Sequence, residues 1–202
     1  MIKIIYNDSW LMAVHKPCGL LSEPGLGPHQ QDSLIGRLQS IDQGLRLVHR
    51  LDRDTSGILL LAKGRESLRR CCKLFEQRKV RKLYIADVQG LMSSLSGSVH
   101  SRIARLQRHP PRYGNHPQGR MSLTRWRLLE SKNQRSRLWL WPLTGRSHQL
   151  RAHLFEIGHP ILGDPIYGCP TISPRMHLYA VSLSFLHPFT GKRLKLRCPF
   201  MT

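Results

Sequence analysis

The stretch Leu47–Lys63 constrains the fold more than any other part of this chain. A charged, turn-forming segment, His49-Arg50-Leu51-Asp52-Arg53-Asp54-Thr55-Ser56-Gly57, runs straight into the apolar run Ile58-Leu59-Leu60-Leu61-Ala62. Five apolar residues bounded by turn residues have the length of a strand buried on both faces. A loop delivered onto such a strand is a place where a scaffold presents a polar side chain rigidly. Only 12 of the 202 residues are acidic, so two carboxylates set among cations, Asp52 and Asp54, are candidates for chemistry. On the local residues alone, a catalytic carboxylate and a structural ion pair stand level.

Around this centre the chain reads as many short strands and few helices. Ile2, Ile4 and Tyr6, a turn at Asn7-Asp8, and Trp10 to His15 predict a hairpin, ended by Lys16-Pro17-Cys18-Gly19. Residues 22–31 are rich in Gly and Pro and predict a loop, after which Asp32-Ser33 caps a short helix carrying Leu34, Ile35 and Leu38. Arg65 to Arg78 predicts a helix with a Leu68, Cys72, Phe75 stripe. Val80 to Val88 predicts a strand with Tyr84, Ala86 and Val88 on one face. Leu138 to Leu143 predicts another, with Trp139 and Trp141 together. Ser147 is placed as the N-cap of a helix ending at Gly158 with Leu150, Leu154 and Ile157 inward. Two closing strands, Leu178 to Leu186 and Arg193 to Cys198, flank a turn at 188–192. The order predicts an α+β fold on a mainly antiparallel sheet, as one domain over 1–202.

Residues 89–127 look least regular. No Asp or Glu occurs between Asp87 and Glu130, while Arg102, Arg105, Arg108, Arg112, Arg120, Arg125 and Arg127 do. The segment is read as an exposed basic excursion facing nucleic acid rather than as core. The 32 Lys and Arg give a formal charge of +20, a surface that attracts polyanions. No long basic amphipathic helix points to a membrane surface. No helix-turn-helix or dimerising heptad points to a DNA-binding regulator.

Five cysteines, Cys18, Cys71, Cys72, Cys169 and Cys198, form no C-x-x-C; this fits a reducing cytoplasm better than a disulfide framework or a zinc ribbon. The N-terminus lacks a signal-peptide core and any span of about 18 apolar residues. His148, His153 and His159 lack metal-ligand spacing and are read as surface or RNA-facing. Gly25-Leu26-Gly27 has no Lys-Ser/Thr after it and is no phosphate loop. Asp54-Thr55-Ser56-Gly57 lacks the Gly placement and the second carboxylate of an aspartic protease.

Five segments together carry a resemblance. His49-Arg50-Leu51-Asp52-Arg53-Asp54-Thr55-Ser56-Gly57 resembles the H-R-L-D-x-x-T-S-G signature of the RluA family of RNA pseudouridine synthases. Lys82-Leu83-Tyr84 is similar to its K-x-Y. Thr144-Gly145-Arg146-Ser147-His148-Gln149-Leu150-Arg151-Ala152-His153 resembles its T-G-R-x-H-Q-[IL]-R-x-H. The blocks from Gly158 to Gly168 and from Arg175 to Ala180 resemble two more, and the order and spacing fit over nearly the whole chain. Tyr179 stands where the family usually has His, His15 where it usually has Asn, and Met121-Ser122 replaces small residues or proline.

The resemblance implies the pseudouridine synthase fold, with flanking helices, two sub-halves sharing one sheet, and a central RNA-binding cleft. It implies the compact branch, with no S4-like module expected ahead of residue 1. It implies isomerisation of a flipped-out uridine in structured tRNA or rRNA, without metal or cofactor; a monomer is the default expectation. Asp52 would be the nucleophile. Arg151 would pair with it and orient it. Tyr84 would stack on the base and assist proton movement, and Leu178 would wall the pocket. Arg50 and His49 would fill the gap left by the base or hold phosphates. Arg53, Arg146 and His148, with Arg102, Arg105, Arg108, Arg112 and Arg120, would hold the RNA backbone. The competing function is a non-catalytic RNA-binding or ribosome-assembly protein on the same fold.

Overall fold

The computed structural model describes residues 2–168 and 173–198; Cys169 lies outside them. In chain order the elements are β1 (Ile4–Asn7), β2 (Leu11–Lys16), α1 (Leu34–Gln39), β3 (Leu45–Leu47), β4 (Ser56–Lys63) and α2 (Gly64–Glu76). There follow β5 (Arg81–Gln89), β6 (Ser96–Gln107), β7 (Arg112–Asn115), β8 (Arg120–Lys132), β9 (Arg135–Pro142), α3 (Gln149–Glu156), β10 (Leu178–Leu186) and β11 (Arg193–Arg197). The chain packs as two compact units. One takes the residues up to Arg81 and from Ala180 onward, the other Lys82–Tyr179.

In the first unit β4 is central. β2 pairs with it antiparallel, from Leu11 opposite Ala62 to Lys16 opposite Gly57, and β1 pairs with the far edge of β2. β10 is the neighbour of β4 on its other side and pairs antiparallel with β11. Ile58 to Ala62 are all buried, as a strand covered on both faces requires. Leu11, Ile58, Leu60, Leu183, Phe185 and Leu196 form the core with Cys71 of α2. Gly57 permits the approach of β4 to β10: it has a φ of 119°, and a Cβ there would lie 2.2 Å from the Ala180 carbonyl oxygen. Ser33 caps α1 by accepting from the Gly36 N–H, and Leu34, Ile35 and Leu38 are buried, as the sequence predicts. The buried line of α2 is rotated one residue from the predicted stripe. Ser67 and Cys71 lie deepest, with Leu68, Cys72 and Phe75 half-buried beside them.

In the second unit the strand order is β5-β9-β8-β6-β7, antiparallel throughout. This corrects the reading of 89–127 as an irregular excursion. β6, β7 and most of β8 occupy it, with Val99, Ile103 and Trp126 buried. The alternation escapes an apolar count because small polar residues share the inner face: Ser101 on β6, and Ser122 and Thr124 on β8, are buried. α3 lies on that face, where Leu150 and Leu154 meet Ala86, Val88, Leu138 and Leu140.

Ser147 is not the cap of α3. His148 holds that position in a left-handed conformation, φ 53°, and its side chain bonds no helix N–H. The side chain of Gln149 orders the helix entry instead: its Oε1 accepts from the Arg146 N–H at 3.0 Å and from the Thr144 hydroxyl at 2.7 Å. Gly158, φ 81°, follows the helix end as predicted.

Candidate active site

Asp52 sits in the first unit, on the loop between β3 and β4, and is half-buried. The backbone is held on both sides of it. Before it, the Ser22 hydroxyl donates to the Leu51 carbonyl at 2.7 Å and accepts from the Leu51 N–H at 3.1 Å. After it, the Arg53 carbonyl accepts from Lys16 Nζ at 2.7 Å and from the Gly19 N–H at 3.0 Å. Lys16 is fully buried and donates also to the carbonyls of Leu20, at 2.7 Å, and Pro17, at 2.9 Å. Burial pulls its pKa down to about 8. A further bond, from the Thr55 N–H to the Asp52 carbonyl at 3.1 Å, closes the turn. The backbone that carries the Asp52 side chain is thus fixed on both sides of it.

The neighbours of Asp52 divide. His49 is turned into the unit, where its Nε2 accepts from the Leu60 N–H at 3.1 Å and its ring stacks on Phe75 at 4.8 Å. Arg50 is exposed and paired with Glu23. Arg53 is exposed and lies 3.1 Å from Asp54.

Tyr84, Arg151 and Leu178 belong to the second unit. Lys82 and Tyr84 share one face of β5; Lys82 Nζ donates to the Thr144 carbonyl at 2.9 Å. Tyr84 is half-buried against a cluster that contains the buried Leu178, Met176 and Leu150. Arg151 is buried on α3, and Asp164 holds its guanidinium bidentately, Nε to Oδ2 at 2.7 Å and Nη2 to Oδ1 at 2.8 Å. The Asp164 Oδ1 also accepts from the N–H groups of Ile166 at 2.9 Å and Tyr167 at 3.1 Å. Burial pushes the Asp164 pKa up, but these bonds outweigh it and hold the carboxyl below its usual range. The Tyr167 ring lies 5.1 Å from the same guanidinium. Asp164 falls in a motif that the resemblance covers, yet only the fold shows which cation it holds.

The loop before α3 is equally determined. Gln149 Nε2 donates to the Leu123 carbonyl at 3.0 Å and to the Thr124 hydroxyl at 3.1 Å, and His153 Nδ1 lies 2.9 Å from the same hydroxyl. His153 is therefore a core residue, not surface or RNA-facing. It is fully buried, and burial lowers its pKa to about 4. His148 is half-buried, 3.1 Å from the Tyr167 hydroxyl.

The structure brings three of the expected RNA-facing arginines together. Arg105, Arg120 and Arg146 line a hollow of about 290 Å³ with Tyr113. Arg105 donates to the Tyr113 hydroxyl at 2.9 Å, and the Nε of Arg146 is buried with no acceptor among the described residues. Arg112 lies over the rings of Phe155, at 5.0 Å, and Tyr167, at 5.6 Å, beside a second hollow of about 310 Å³. Arg102 reaches the Gly119 carbonyl at 3.5 Å, and Arg108 is exposed. Among the described residues no group of three or more His, Cys, Asp or Glu is arranged to hold a metal. None of their helices is long and apolar enough to cross a membrane.

A profile of the RNA pseudouridylate synthase family matches residues 10–156. The dual-specificity RNA pseudouridine synthase RluA of Vibrio cholerae is 38% identical over 191 residues, 93% of this chain and 78% of that one. The chain belongs to the RluA family of RNA pseudouridine synthases. The RluA of Escherichia coli K12, also described as a dual-specificity RNA pseudouridine synthase, is 36% identical over 201 residues, 97% of this chain and 92% of that one. Human RNA pseudouridylate synthase domain containing 1 superimposes with a TM-score of 0.83 at 26% identity, covering 99% of this chain and 84% of that one. The α+β fold is that of this RluA-type synthase family.

Proposed function

We propose that this chain isomerises uridine to pseudouridine in structured RNA, with Asp52 as the nucleophile. The observation that carries the reading is the loop of Asp52, pinned at Leu51 by Ser22 and at Arg53 by Lys16. A protein that only binds RNA has no use for a carboxylate set among cations on so firmly held a backbone. The relatives' description as dual-specificity RNA synthases supports two kinds of RNA as substrate, and the motif resemblance implies that these are tRNA and rRNA.

The reaction breaks the C1′–N1 bond, turns the uracil and forms C1′–C5, after which the proton on C5 leaves. N1 ends protonated, so the change is an isomerisation with no net oxidant or reductant. As the nucleophile, Asp52 bonds C1′ as the C1′–N1 bond breaks and is released as the C1′–C5 bond forms. Arg151 orients Asp52, and Tyr84 stacks on the extruded base and assists the proton leaving C5. Leu178 walls the base pocket. Arg50 and Arg53, exposed beside Asp52, reach phosphates, and Arg102, Arg105, Arg108, Arg112, Arg120, Arg146 and His148 hold the backbone. The packing of His49 beneath Phe75 favours a structural part for it. The thiols of Cys18, Cys71, Cys72 and Cys198 are free, which supports a reducing compartment, the cytoplasm. We take the monomer as the working unit.

The test is pseudouridine mapping of cellular tRNA and rRNA by carbodiimide-dependent primer-extension stops. Stops lost on deletion return with the wild-type gene and not with Asp52→Asn, while the variant still binds RNA. Appreciable conversion by Asp52→Asn would overturn the nucleophile. A map unchanged by deletion would favour the binding-only function.

A further inference from the structure

The strands of the second unit form a sheet with two unlike faces. One carries Tyr84, Leu140 and Trp126 and lies against α3. The other follows from the alternation of side chains, and it carries Trp139 and Trp141 on β9. Their indoles are parallel, with centroids 6.1 Å apart and planes 17° apart. The register sets Arg125 opposite Trp141 and Arg127 opposite Trp139. One strand further, Ser98 stands opposite Arg125 and Ser96 opposite Arg127. Both arginines and both serines are exposed, and both indoles are half-buried.

We infer that this second face is a stacking platform for single-stranded RNA, a reading that rests on RNA being the substrate. Directly opposed residues on neighbouring strands lie about 5 Å apart at Cβ, so each indole has a guanidinium at the reach of a nucleotide's phosphate when its base lies on the ring. The pair of indole and guanidinium repeats two residues along the strand, about 7 Å on, which supplies two nucleotide positions rather than one. Stacking on an indole suits any base, since every base has a π-face.

Charge selects RNA over a protein partner. No carboxylate occurs between Asp87 and Glu130, so Ser96, Ser98, Arg125 and Arg127 have none among them; Glu130, further along β8, stands opposite Arg137. Asp87 itself is occupied by Arg137, at 2.6 Å, and His177, at 2.9 Å. On β8 and β6 the indoles are flanked by exposed cations and hydroxyls, the groups that pair with phosphate and sugar, while on β5 Ile85 stands opposite Trp139.

The test titrates the full chain with a 12-residue oligouridylate carrying 5-iodouridine, read by tryptophan fluorescence and by photocrosslinking. Arg125→Ala/Arg127→Ala, changed only at exposed positions, weakens binding at least tenfold. It also reduces the slope of log affinity against log salt by about 1.4, the value for two phosphate contacts on a single strand. Trp141→Leu weakens binding to a similar degree, and wild-type crosslinks map to Trp139 and Trp141. Unchanged affinity and slope with crosslinks elsewhere would overturn the platform. So would a concentration-dependent dimer abolished by Trp141→Leu, which would assign the face to a second copy. If the wild type converts uridine but these variants bind like it, the platform alone fails. If the variants lose the oligomer but the wild type converts no uridine in RNA, the functional reading alone fails.

Discussion

At the residue scale, the determinants of the site are groups with little signal of their own. Asp52 is evident from its signature, but what fixes it is Ser22, about thirty residues earlier, and Lys16, which ends β2. A serine in a loop and a lysine before Pro are unremarkable in sequence, because their value lies in the distant carbonyls they reach. Asp164 is of the same kind. It meets Arg151 where both are buried, at 2.7 Å. Removing one partner of a buried ion pair strands the other charge, which costs about 3–5 kcal/mol. Asp164→Asn should therefore lower the unfolding free energy by about 3 kcal/mol in urea titrations and should slow turnover through a displaced Arg151. A change below about 1 kcal/mol would show that the guanidinium finds other support.

At the element scale, the strands and helices with apolar signatures lie where the sequence puts them, among them β4, β5, β9 and α1. Two of the readings fail, each for its own reason. In β6 and β8 the inner face is part Ser and Thr, so burial and hydrophobicity part company, and the arginines on the outer face dominate the reading. At α3 the cap residue is chosen by the Gln149 network rather than by local preference. Two expectations belong here. Gly57→Ala places a Cβ against the Ala180 backbone in a left-handed conformation, so β4 or β10 must shift. The variant should lose at least about 2 kcal/mol of stability, with the midpoint of thermal unfolding reporting it.

The second expectation concerns His153 between β8 and α3. Its pKa is about 4 when folded, against 6.5 for an unperturbed histidine, so below pH 6.5 the unfolded chain takes up a proton that the folded one refuses. The contribution of this neutral histidine is complete above pH 6.5 and drains away as pH falls toward 4. By pH 4 the loss is on the order of 3 kcal/mol. His153→Gln should flatten that part of the stability profile between pH 7 and 5. An unaltered slope would show that other groups set it.

At the scale of the whole molecule, a formal charge of +20 predicts binding governed by counterion release. RNA affinity should fall by about 10³-fold or more between 50 and 200 mM salt, measured by filter binding, and a flat profile would remove the basic surface from recognition. The division into two units has a separate consequence, for synthesis. The core around β4 joins Leu11, Ile58 and Leu60 to Leu183, Phe185 and Leu196, whereas Lys82–Tyr179 is one uninterrupted segment. A ribosome delivers the inserted half whole while the half that bears Asp52 still lacks β10 and β11. Domains fold as their chains emerge. The seat of the Asp52 loop is therefore completed only after the inserted half has emerged, and a nascent chain stalled before Ala180 lacks the β10 and β11 residues that finish the core around β4.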